Sequence, residues 1–192
     1  MAQQALFSSK YSLKPLLKYS LFLAPVFLLL SCSAPYSVTA RAVPAAPELR
    51  QRALDYASEY MNNGATYEWG GQDPLPGRLV VDCSGLVIRC YQYACEDYGY
   101  TLPFADTTSK GLRQYSLNLG QQDLSPGDLL FMGEEGLINH VALFIQFDET
   151  DLVFIDATLK EEENINGVSV RRYRREDSRF ISYGRMLVRE IP

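Results

Sequence analysis

Apolar positions change their spacing several times along this chain of 192 residues. From Pro47 to Asn63 the spacing is helical: Leu49, Ala53, Tyr56, Ala57 and Tyr60 recur on one side, and Asn62-Asn63-Gly64 is a stop. Tyr67 to Val81 holds Gly70-Gly71, Pro74, Pro76 and Gly77 and reads as a loop. A second helix is predicted from Cys83 to Tyr98, ended by Gly99. Its buried stripe is Leu86, Val87, Cys90 and Ala94, with Cys83 on the same side at the N-terminal end. A short helix is predicted over Thr108–Tyr115.

Beyond Pro126-Gly127-Asp128 the period becomes two. Leu129–Met132, His140–Phe147, Leu152–Ala157, Val168–Tyr173 and Phe180–Val188 read as strands between turn residues. Helices precede strands, so the expected class is α+β: N-terminal helices packed on an antiparallel sheet of five or six strands.

The pattern before residue 47 is of another kind. Leu21 to Leu30 is apolar apart from Pro25, and it follows Lys10, Lys14 and Lys18 with no acidic residue. Such a run is too short to span a bilayer and has the layout of a secretory signal. It ends Leu30-Ser31-Cys32, which resembles a bacterial lipobox. Residues 1–31 are thus expected to be a lipoprotein-type signal and Cys32 the lipidated residue. The other reading is ordinary cleavage near Ala34 or Ala40. Residues 32–47, rich in Ala, Pro and Ser, are expected to tether an anchored domain over 48–192. The expected location is the outer face of a membrane, periplasmic or extracellular.

Charge narrows the function. The chain has 18 Lys+Arg against 23 Asp+Glu, and removing the three lysines of the signal leaves 15 against 23, net −8. That balance argues against a nucleic-acid partner. The basic cluster Arg171-Arg172-Tyr173-Arg174-Arg175 is read as a solvated strand and turn. The remaining length suits one domain, expected to be a monomer.

Candidate chemistry rests on few residues. There is one histidine, His140, and one cysteine, Cys83, at a predicted helix start within Asp82-Cys83-Ser84-Gly85-Leu86. A thiol attacks as the thiolate, and an ordinary cysteine has a pKa of about 8.5, so it needs help near neutral pH. Helix N-terminal N–H groups favour the thiolate and can stabilise an oxyanion. An imidazole supplies the base that becomes an acid. Asp82 stands where a helix cap stands. Cys90 and Cys95 are expected to be small buried hydrophobes. One His and no close Cys pair make no zinc site, and no phosphate loop is present, so neither metal nor cofactor is expected.

A third member comes from strand parity. His140 begins one predicted strand and Asp156 ends the next. A hairpin centred on Asp148 sets them opposite each other on one face. A shifted turn instead pairs His140 with Thr158 or a residue near Lys160. In the centred register Asp156 fixes the imidazole tautomer and stabilises its charged form.

Five segments together resemble the NlpC-type cell-wall cysteine peptidases. They are Tyr67-Glu68-Trp69-Gly70-Gly71, Asp82-Cys83-Ser84-Gly85-Leu86-Val87, Leu102-Pro103, Pro126-Gly127-Asp128-Leu129-Leu130-Phe131 and His140-Val141-Ala142-Leu143-Phe144-Ile145. The resemblance implies a papain-like fold, with Cys83 as nucleophile, His140 as base and then acid, and Asp156 in the third polar position. It implies that Tyr67 assists the oxyanion hole and that Asp82 and Ser84 line the subsite for the peptide stem of peptidoglycan. The implied reaction is hydrolysis between D-isoglutamate and the following diamino acid. Two departures stand out: Asp156 replaces the second His of many relatives, and Phe104 replaces an Arg. The loop from Pro74 to Val81 is also longer than usual. The alternatives are an amidase or acyltransferase of the same fold, and a wall-binding lipoprotein with a degenerate site.

Overall fold

The computed structural model describes residues 41–73 and 77–191. The signal, the lipobox with Cys32 and the start of the tether lie outside these residues. In chain order, β1 (Val43–Pro44) precedes α1 (Pro47–Asn62). Then come β2 (Thr66–Tyr67), β3 (Val80–Val81), α2 (Cys83–Tyr98), β4 (Tyr100–Thr101), α3 (Ser109–Leu112) and β5 (Ser116–Leu119). Five long strands follow: β6 (Leu129–Glu134), β7 (Leu137–Asp148), β8 (Asp151–Lys160), β9 (Ile165–Arg174) and β10 (Phe180–Glu190).

The class is α+β, as expected. The sheet has eight strands because three short ones join the five long ones. Its order is β1-β10-β6-β7-β8-β9, and β4 and β5 also pair with β10, all antiparallel. The predicted Tyr67–Val81 loop instead begins and ends in strand, β2 and β3 forming a separate parallel pair. The fold also starts before residue 48: Val43 and Pro44 pair with Val188 and Leu187, and Ala45 is buried. Two-residue strands carry too little alternation to be read from sequence.

Helix α2 holds the two halves together. Leu86, Val87, Cys90 and Ala94 are fully buried, and the helix packs on α1, β7 and β8. Cys90 and Cys95 are free, buried thiols, as expected. The sheet's other face has its own apolar cluster, built on Leu130, Met132, Ala142, Phe144, Leu152 and Phe154. Central strands are therefore covered on both sides, which explains the unbroken apolar runs Val141–Phe144 and Leu152–Ile155.

The Pro126-Gly127-Asp128 turn is pinned from several sides. Asp128 is fully buried and accepts two 2.8 Å hydrogen bonds from Arg185, with Arg50 at 3.6 Å. Tyr91 donates to the Gly127 carbonyl at 2.7 Å. Gly127 has φ 85°, and a Cβ there would lie 2.5 Å from the Arg50 carbonyl oxygen, so only glycine fits.

Candidate active site

Cys83 is the first residue of α2, and its placement follows from the cap before it. Asp82 accepts from the Gly85 N–H at 2.6 Å, from Ser84 Oγ at 3.0 Å and from the Gly70 N–H at 3.1 Å. Its own N–H donates to the Gly71 carbonyl at 2.8 Å. The capping residue thus also ties down the Trp69-Gly70-Gly71 loop. A Cβ on Gly85 would lie 2.3 Å from the Gly71 oxygen, so the motif glycine is what lets this loop touch the helix.

A cleft of about 300 Å³ opens there, lined among others by Tyr67, Trp69, Cys83, Ser84, Asp106 and Asn139. Trp69, the chain's one tryptophan, is 84% exposed at its lip. Tyr67 is half-buried; burial and then the nearby Cys83 and Asp82 raise its pKa, so it stays a neutral hydroxyl.

His140 Nε2 donates to Asp156 Oδ2 at 2.5 Å, and Cys83 adjoins the same ring. With Nε2 committed to Asp156, Nδ1 is the nitrogen left for the thiol. Burial pulls the His140 pKa down, but the bond to Asp156 and then the neighbouring Cys83 outweigh it and raise it to about 9. Asp156 is fully buried, which would raise its pKa; hydrogen bonds from His140 and Arg171 prevail and hold it below the usual carboxylate range.

The structure thus brings Cys83, His140 and Asp156 together, with Tyr67, Asp82 and Ser84 around the thiol. The register, however, is not the centred one. The β7–β8 turn is Glu149-Thr150, with Asp148 paired to Asp151. Ile145 is bulged between the pairs Phe144–Phe154 and Gln146–Val153, and the ladder ends at Leu143–Ile155. Continued, it would set Asp156 across from Ala142 and His140 across from Thr158, so the acid and base meet diagonally. A second bulge, at Asn139, separates the pairs Met132–His140 and Gly133–Ile138 next to the site.

The NlpC/P60 family model matches residues 64–180, a span that contains every one of these residues. The chain belongs to the NlpC/P60 family. Eleven solved chains match it, and two of them show the extent of the likeness. One is the NlpC/p60 domain of the peptidoglycan hydrolase SagA, 22% identical with a TM-score of 0.47; the match covers 73% of this chain and 97% of that one. The other is a protein of Staphylococcus aureus subsp. aureus Mu50 described as similar to lipoprotein, of the NLP/P60 family. It is 22% identical with a TM-score of 0.46, and the match covers 79% of this chain and 44% of that longer one. Among curated proteins there is no match.

Within this NlpC/P60 domain one functional neighbour escaped sequence reading. Arg171, read as part of a solvated basic cluster, is buried and donates to both oxygens of Asp156, through Nε at 2.9 Å and through Nη2. Arg172 and Arg174 are exposed, so the solvated reading holds for them. The signal was parity: Asp156 pairs with Ser169, so Arg171 shares its face two residues on. Phe104, at the other departure, packs against Tyr115 with ring centroids 4.6 Å apart.

Proposed function

We propose that this chain is an exported cysteine endopeptidase that hydrolyses the peptide stem of peptidoglycan, between D-isoglutamate and the following diamino acid. The observation that carries the reading is the single imidazole held by Asp156 on one side and adjoining a helix-terminal thiol on the other, at an open cleft. In the proposed cycle the Cys83 thiol proton is already held by His140, and Sγ bonds to the substrate carbonyl carbon. The Tyr67 hydroxyl and helix N–H groups stabilise the oxyanion. Collapse breaks the C–N bond, and His140 gives its proton to the leaving amine. Water, deprotonated by His140, then attacks the thioester; the acid leaves and the thiolate is restored. The carboxylates Asp82 and Asp106 give the cleft an acidic wall, suited to a free amine on the stem. Membership of the NlpC/P60 family agrees with this substrate class. Lipidation at Cys32 would hold the domain at a membrane surface, facing the wall.

Mass spectrometry of muropeptides after digestion of purified wall tests the reading, because it reports reaction type and bond together. Wild type should release fragments with a new amine and a new carboxylate at that bond, and Cys83→Ala should release none. Equal digestion by Cys83→Ala would sink the cysteine mechanism, and a new amide or ester in place of a free acid would make the enzyme an acyltransferase.

A further inference from the structure

We propose that Arg171 is a positioning residue of this site: it aims the Asp156 carboxylate at His140 and offsets part of its charge, so that the imidazolium can release its proton. The role presupposes the Cys83–His140 chemistry above but not the substrate.

Asp156 is fully buried on β8, and each oxygen is engaged. Oδ1 accepts from Arg171 Nε at 2.9 Å, and Oδ2 accepts from both Arg171 Nη2 and His140 Nε2. The guanidinium is itself fixed. Its Nη1 donates to the Tyr173 hydroxyl at 2.5 Å, and its carbon lies 5.3 Å from the ring centroids of both Phe154 and Tyr173. A planar fork bound to both oxygens leaves the carboxylate no rotation, which a diagonal approach to His140 requires. Electrostatics gives the second half. A buried carboxylate with His140 as its only cation would hold the ring proton very tightly, and a ring that cannot release its proton cannot protonate a leaving amine. Arg171 supplies a permanent second cation, so the carboxylate depends less on His140. The charged or titratable groups facing His140 are Cys83 on α2, Asp156 and Lys160 on β8, Arg171 and Tyr173 on β9, Glu134 on β6 and Arg179 before β10. Lys160 and Arg179 are already paired with Glu163 and Asp177, and Arg171 is the cation bonded to Asp156.

The single histidine makes the test direct. In protein labelled with 15N-histidine, the ring signals belong to His140 alone, and their titration midpoint should lie near 9 in wild type. In Arg171→Gln the midpoint should rise by about one unit, and the alkaline limb of kcat/KM should move with it. Arg171→Lys, which keeps the charge, should return the midpoint towards wild type. A purely structural arginine leaves the midpoint where it was or lets it fall as Asp156 turns away; either result in Arg171→Gln overturns the proposal, as does a lysine variant titrating like the glutamine one. Should Arg171→Gln not fold, the wild-type Arg171 Nε–H signal decides: it should shift at the His140 midpoint, and its silence would overturn the role. The NMR titrations need no peptidoglycan, so a failed substrate assignment leaves them intact.

Discussion

Asp156 Oδ2 lies 2.5 Å from His140 Nε2 although the β7–β8 ladder has already ended at Leu143–Ile155. The contact bridges strands no longer joined there by backbone pairing, so it depends on Asp156 being held from behind. Asp156→Asn should therefore act twice. Loss of the charge that supports the imidazolium should lower kcat/KM by roughly 10²–10⁴-fold, read by muropeptide release. Leaving Arg171 buried without its carboxylate should cost about 3–5 kcal/mol, read by urea denaturation.

Stability should depend on pH through the same pair. The folded His140 pKa, about 9, lies above its ordinary value of about 6.5. Its contribution is complete below about pH 6.5 and is lost as pH rises through about 9. Asp156 is shifted the other way: its contribution is present above about pH 4 and lost as pH falls towards its lowered value. Urea midpoints measured from pH 3 to 10 should form a plateau at about pH 4–6.5 and decline on both sides. A wild-type midpoint that stays level from pH 6.5 to 9 would refute the protonated His140.

Tyr67 lines the cleft beside Cys83, and its raised pKa keeps it a hydrogen-bond donor at working pH. Tyr67→Phe should lower kcat by about 10²-fold, with KM little changed, because the oxyanion forms only during reaction. A KM rise at constant kcat would assign the hydroxyl to substrate binding instead.

Gly85→Ala is the structural probe of the motif. Its new Cβ would meet a backbone carbonyl, that of Gly71, which cannot swing aside as a side chain could. The variant should lose about 1–3 kcal/mol in a thermal melt and shift the Trp69 loop.

Much of this was legible because it is local. Asp82 as cap, Cys83 as first helical residue and Gly99 as stop are all written within α2 and its flanks. Short apolar segments set between turn residues marked the five long strands β6 to β10, and their place after the helices marked the class. What escaped depends on pairing at a distance. The Ile145 bulge sets Phe144 and Phe147, three apart, on one face with ring centroids 4.9 Å apart, and no strict period of two anticipates that. Asp156 was found through a register that is not the one present; the diagonal reach of the two side chains made up the difference. Arg171 escaped because a run of arginines reads as solvent-facing, while β8–β9 pairing turns one of them inward.

Trp69 carries a practical consequence. One indole, 84% exposed, stands at the lip of the cleft, and the chain has no other. The protein therefore contains its own optical gauge. A molecule that packs on Trp69 as it fills the cleft should alter the only tryptophan emission there is, so occupancy of the cleft can be followed without a dye or a label, in Cys83→Ala as readily as in wild type.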